Sequence, residues 1–173
     1  IKHSSLFELT QQNCNLYPSS QMPRLVMISS GADLPNRWAF PTGRRVNAFF
    51  ETHGATTATH CTPNGKLTLD LETSDTDRYA IGHNRIYITH DLEKNDSFSI
   101  TDTLSEPLHN FEPQLQTNSV NFGSTTLTTR NITTAYNPIL NIWTNGEVMD
   151  GHNDIWNEDI AELLYQMILI TNN

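Results

Sequence analysis

Asn157-Glu158-Asp159-Ile160-Ala161-Glu162-Leu163-Leu164-Tyr165-Gln166-Met167-Ile168-Leu169-Ile170-Thr171 is the stretch on which the fold class turns. Ile160, Leu163, Leu164, Met167 and Ile168 recur at helical spacing behind an Asn cap and an acidic first turn. Against that, Tyr165 to Thr171 is rich in strand formers, and a last strand buried on both faces is apolar throughout. The β-rich end decides the reading as a strand over 162–171, which makes the chain all-β.

The segments upstream agree. Lys66-Leu67-Thr68-Leu69-Asp70-Leu71-Glu72 puts three Leu on one face and Thr or charge on the other, and Pro63-Asn64-Gly65 supplies the turn into it. Leu25-Val26-Met27-Ile28, stopped by Ser29-Ser30-Gly31, fits a buried strand. Alternation predicts strands at Arg45 to Glu51, Arg85 to His90 and Phe98 to Leu104, with Asp91 to Asp96 as a polar turn. Val120 to Ala135 reads as strand-turn-strand, and Ile139 to Trp143 as a strand ending at Thr144-Asn145-Gly146. Pro35, Pro41 and Gly43 make Leu34 to Gly43 a loop, and Pro107 and Pro113 make Leu108 to Thr117 a crossing connection. Eight or nine short strands with regular turn signals predict a single antiparallel β-sandwich, jelly-roll or Greek-key-like, over 25–173, behind an arm or edge segment at 1–24.

Composition sets outer bounds. The chain has 173 residues and a formal net charge of -9. Leu, Ile, Val and Phe make up about 24% of it, enough to bury a core. Its most apolar run, Leu163 to Ile170, is far shorter than a membrane span. Ten Lys plus Arg against nineteen Asp plus Glu give no footprint for a phosphate backbone, so neither nucleic acid nor membrane insertion is expected. The polar share is carried by 22 Thr and 18 Asn, with only three Lys, a balance common among proteins that work outside cells. The expected location is therefore extracellular or on a virion surface. The chain opens on Ile1-Lys2 with no basic and apolar leader, as expected of a processed product or a piece of something longer.

Cys14 and Cys61 are the only cysteines. A bridge between them would close a loop worth roughly 4 kcal/mol on chain-entropy grounds, and two reduced thiols are an equally open reading. Sequons stand at Asn95-Asp96-Ser97 and Asn131-Ile132-Thr133, as many as chance supplies in a chain this rich in Asn and Thr.

Motifs for catalysis are lacking. There is no Gly-x-Ser-x-Gly elbow, phosphate-binding Gly loop or zincin helix, and Asp70, Glu72, Asp75 and Asp77 read as a solvated strand face and turn. His53, His60 and Cys61 lie together, and His83 and His90 sit seven apart, but none has the tight spacing of a metal site, so they read as surface or loop histidines. Asp150, Asp154 and Glu158 are weak calcium candidates in an oxygen-rich loop that lacks the EF-hand Gly and terminal Glu. No cofactor and no enzymatic activity are expected.

Binding has more behind it. Trp38, Trp143 and Trp156 fall in or beside loops and strand ends, Arg44 and Arg45 follow a Pro-Thr-Gly turn, and His152 lies between two of the tryptophans. Rings that stack on apolar faces, with Arg to grip a carboxylate in two places, are what a shallow site for an acidic glycan requires. These six residues are the predicted ligand-binding set.

Ala135-Tyr136 through Trp143, Gly151-His152-Asn153 and Asn157-Glu158 before the final segment resemble the end of some adenovirus fibre heads. That likeness covers about forty residues and implies a trimeric antiparallel sandwich that binds a cell-surface receptor. The expectation is an exposed attachment or binding domain for a cell-surface receptor or glycan, assembled as a homo-oligomer. Its rivals are a structural protruding or shell domain of a particle, without a ligand, and a small secreted metal-dependent hydrolase.

Overall fold

The computed structural model describes residues 9–10, 14, 17–18, 21–47, 54–72, 79–97, 119–134 and 136–171. Within these, seven strands and two α-helices follow one another as β1 (Leu25–Ser30), α1 (Phe40–Asn47), β2 (Ala55–Thr62), β3 (Gly65–Glu72), β4 (His90–Lys94), β5 (Ser119–Phe122), β6 (Thr125–Thr129), β7 (Ile139–Thr144) and α2 (Glu158–Thr171). Five strands form one sheet in the order β1-β7-β4-β6-β5, while β2 and β3 form a separate hairpin. The strand-rich expectation holds at that level.

The sheet is mixed, which corrects the antiparallel expectation. β1 runs parallel to β7 and β7 parallel to β4, whereas β6 is antiparallel to both β4 and β5. What packs on it is α2, and this corrects the strand expected over 162–171. Asn157 accepts a hydrogen bond at Oδ1 from the Ile160 amide at 2.9 Å, Glu158 and Asp159 occupy the positive end of the helix, and Ile160, Leu163 and Met167 fall on its buried side. They meet Leu92, Val120, Phe122, Leu127, Leu140, Ile142 and Val148, with Val26, Ile28 and Leu164 partly buried at the margin. Packing of one apolar stripe on a sheet face outweighs the strand propensity of the last residues.

Two further segments are helical where strand or loop was expected. Asp33 caps a helical stretch by accepting from the Asn36 amide at 3.1 Å, and Pro35 lies in its first turn, where a missing N–H costs nothing. Pro35–Ala39 is one wide turn, closed by the Phe40 amide on the Pro35 carbonyl, and it leads directly into α1. The wide turn relieves the crowding that Pro41 would otherwise cause in the preceding turn. Of the strand expected at Arg45 to Glu51, the residues through Asn47 are therefore helix and the rest lie outside the described residues. Phe98 to Leu104 and Leu108 to Thr117 also lie outside them.

The strand expected at Arg85 to His90 is displaced. Arg85–Tyr87 is a tight helical turn capped by Asn84, and His90–Lys94, expected to be mostly turn, is β4. Leu92 is fully buried under α2 while Asp91 lies on the opposite face, where Arg130 grips its carboxylate through Nε at 2.7 Å and Nη2 at 2.5 Å. A central strand with one open face has room for such charges.

That open face is partly covered by 80–89. Ser29 donates through Oγ to the Gly82 carbonyl at 2.7 Å, Asn141 donates through Nδ2 to the Tyr87 carbonyl at 3.0 Å, and the Thr89 amide donates to the Asn141 carbonyl at 2.8 Å. A Cβ on Gly82 would sit 2.4 Å from Ser29 Oγ, so only glycine admits this approach. His60 of β2 lies 6.0 Å from the Tyr87 ring, and Cys14 is bridged to Cys61, which ties the N-terminal segment to the hairpin.

Candidate functional site

Because β1, β7 and β4 run the same way, their carboxyl ends lie along one edge of the sheet, the place where open sheets with parallel strands leave a crevice between loops. Two loops leave that edge, residues 31–38 after β1 and 145–157 after β7. The Gly31 amide continues the β1–β7 ladder to the Thr144 carbonyl at 3.0 Å, and a Cβ on Gly31 would come within 3.0 Å of the Trp143 ring. Ser30 Oγ donates to the Met149 carbonyl at 2.5 Å and accepts from the Ala32 amide at 3.1 Å. One hydroxyl thus fastens the two loops to each other.

Asp33 is the polar centre of this edge. Its buried carboxylate accepts from the Asn36 amide, from Asn36 Nδ2 at 2.8 Å and from His152 Nδ1 at 2.9 Å across the two loops. Burial pushes the Asp33 carboxyl up, but the hydrogen bonds from His152 and Asn36 and the charge on His152 together outweigh it and hold the group below the ordinary carboxylate value. With Nδ1 directed at the carboxylate, His152 keeps Nε2 for solvent or a ligand, and its side chain is 58% exposed.

Aromatic and cationic groups surround this pair. Arg37 donates through Nη1 to the Gly31 carbonyl at 3.2 Å and lies 5.9 Å from the centroid of Trp38, a ring that is 64% exposed. Trp143 meets the His83 ring edge-on at 5.2 Å on the open face. Burial lowers the His83 value, Asp33 pulls it back up and Arg37 lowers it again, so the imidazole is held toward its neutral form. Trp156 ends the short turn Asp154–Trp156 after His152 and is 85% exposed.

Of the predicted binding residues, Trp38, Trp143, His152 and Trp156 therefore belong to the two strand ends and loops of one edge. Arg44 and Arg45 lie further along on α1, half-buried and exposed, and take no part in the Asp33–His152 contact. The arginine at the edge is Arg37. Asp33 and Arg37 escaped the sequence reading and His83 was read there as a surface or loop histidine, although Asp33 two residues ahead of Pro35 carries the signal of a helix cap.

Among the metal candidates, Cys61 is taken by the disulfide and His60 and His90 are buried, not on the surface. His53 lies outside the described residues. Asp154 uses Oδ2 to accept from the Asp150 amide at 3.0 Å and from Asn157 Nδ2 at 2.9 Å, which closes the loop ahead of α2. Among the described residues, no three His, Cys, Asp or Glu side chains converge as a metal site would require. No protein-family model, no curated protein and no solved structure matches the chain.

Proposed function

We propose that this chain is an exposed recognition domain that binds a cell-surface glycan or protein receptor through the two loops at the carboxyl edge of β1 and β7. The observation that carries this reading is the outward display of Trp38 and Trp156 on short helical turns beside Arg37 and His152. A large ring held in water on an ordered segment gains by covering a ligand's apolar face, and Arg with an exposed imidazole supplies donors for the ligand's oxygens. The Cys14–Cys61 bridge supports a role outside the reducing interior of a cell. The reading needs no two-sheet sandwich and no fibre-head likeness, because the loops and the parallel strands carry it.

The test is binding of the labelled chain to animal cells before and after enzymatic removal of sialic acid and other surface glycans. Binding that falls after treatment supports glycan recognition, and binding that persists supports a protein receptor. No binding to any cell type defeats the reading. A second reading, a structural domain of a particle, is favoured by Tyr165 and Ile168, which leave 54% and 57% of their surface exposed on α2. A monomeric solution mass at micromolar concentration would count against it.

A further inference from the structure

The two sequons that the sequence leaves equal are made unequal by the fold. Asn95 directs Nδ2 to the Gly123 carbonyl at 3.2 Å, and its Oδ1 accepts from the Ser97 amide at 3.2 Å, so the side chain holds the β5–β6 turn against the end of β4. Asn131 is exposed in the turn after β6, at a φ of 54° that Asn tolerates, and its own amide N–H is taken up by Thr129 Oγ1 at 3.1 Å. Asn131 Nδ2 donates no hydrogen bond among the described residues. Thr133, two residues on, completes the acceptor motif, and Ile132 between them is not proline.

The position of Asn131 in the sheet points the same way. Thr129 pairs with His90, the first residue of β4, so Asn131 leaves the sheet at the amino ends of the parallel strands, away from Ser30 and Thr144. A bulky group there leaves the edge with Trp38 and His152 uncovered. The disulfide independently marks a chain that matures where bridges form, which is the compartment in which sugar is added to such motifs.

We infer that Asn131 is a site of N-linked glycosylation and that Asn95 is not. The donor is an oligosaccharide carried on a polyisoprenyl diphosphate. Asn131 Nδ2 forms the bond to the anomeric carbon of the first sugar, the bond from that carbon to the diphosphate oxygen breaks, and the polyisoprenyl diphosphate leaves with the electron pair. One amide proton passes to a base of the transferase, and nothing is oxidised or reduced. On the folded chain the fold acts as the filter, because Asn131 is exposed while the Asn95 side chain is engaged with the Gly123 carbonyl. A sugar on Asn131 meets open solvent, whereas one on Asn95 takes one of the two Nδ2 hydrogens and sets its bulk where that nitrogen meets the Gly123 carbonyl.

The experiment expresses the full 173-residue chain behind a cleavable secretory leader in cultured animal cells. The product is treated with a peptide N-glycosidase and the sequon peptides are read by mass spectrometry. Conversion of Asn131 to Asp with a loss of mass is the expected result. Asn131→Gln and Thr133→Ala should abolish the mass loss, and Asn95→Gln should leave it intact. Thr133→Ala removes the acceptor motif without touching the positive-φ residue, which separates loss of the motif from loss of the fold. Where the chain is retained, the same peptides are read from the cell extract. An unmodified Asn131, or occupancy of Asn95 equal to it, overturns the inference. The outcome is independent of cell binding, so the two proposals fail separately.

Discussion

The five-stranded sheet and the β2–β3 hairpin are both regular, yet they are held by different means. The sheet buries Leu92, Leu127 and Ile142 completely beneath Ile160 and Leu163 of α2. The hairpin has complete pairing from Ala55–Glu72 to Thr62–Gly65, but its alternating Leu face is only partly covered, with Leu67 43% exposed and Leu69 and Leu71 half-buried. Its attachment runs through Ala58, His60 near Tyr87, and the Cys61 bridge to Cys14. The alternation in β3 makes a paired strand, then, without making it part of the main core. The apolar face must also find a partner layer, and an isolated two-stranded ribbon is at best marginal in water.

Removing a keystone of the sheet should have the largest effect. Leu163→Ala leaves a cavity between α2 and the sheet and should cost about 4 kcal/mol in urea unfolding, with the slope unchanged. A loss under about 1 kcal/mol would show that α2 is not what stabilises the sheet. The paired change Cys14→Ser and Cys61→Ser should cost about 3 kcal/mol and accelerate hydrogen exchange in β2 and β3 first. Equal acceleration in β4, β6 and β7 would merge the two regions into one cooperative unit.

Acid should act next. Burial lowers the values of His60 and His83, the latter also adjusted by Asp33 and Arg37, so both favour the neutral imidazole in the folded chain. Their stabilisation is complete above the unfolded value of 6.5 and is lost as the pH falls through it, because the unfolded chain takes up protons first. The melting temperature should drop from about pH 7.5 to about pH 5.5, with a shallower drop in His83→Gln. Asp33, held below its ordinary value, adds its own loss only at more acid pH, as the carboxylate protonates. A flat profile between neutral and mildly acid pH would place neither histidine in the balance.

The smallest effect on stability is expected where the effect on binding is greatest. Trp156→Ala removes an exposed ring and should change unfolding by no more than about 0.5 kcal/mol. It should nonetheless weaken cell binding by more than about tenfold, the size of a buried aromatic anchor. Trp156→Ala with unaltered binding would remove that ring from the interface.

Legibility from the sequence followed the range of the forces involved. β1, β3, β5, β6 and β7 were readable because turn signals and short apolar runs act within a few residues. The end of the chain was not, since Tyr165 to Thr171 suits a strand locally and becomes a helix only because Ile160, Leu163 and Met167 find a sheet face to cover. β4 was hidden because its single large apolar side chain, Leu92, gives no pattern on its own. The binding edge was half legible. Trp38, Trp143, Trp156 and His152 stood out by residue type, while Asp33 and Arg37 gained their roles from a contact to His152 119 positions away and from the Gly31 carbonyl.

What the sequence determined by itself was the strand-rich character, the turns, the acidic charge and the two cysteines available for a bridge, all of which rest on local geometry or simple counting. Only the tertiary structure decided that three strands run parallel, that α2 closes the sheet, that Cys14 meets Cys61 and that Asn131 stands clear while Asn95 is engaged. Each of those depends on which distant surfaces bury one another, and burial is a property of the assembled layers that no short window of residues contains.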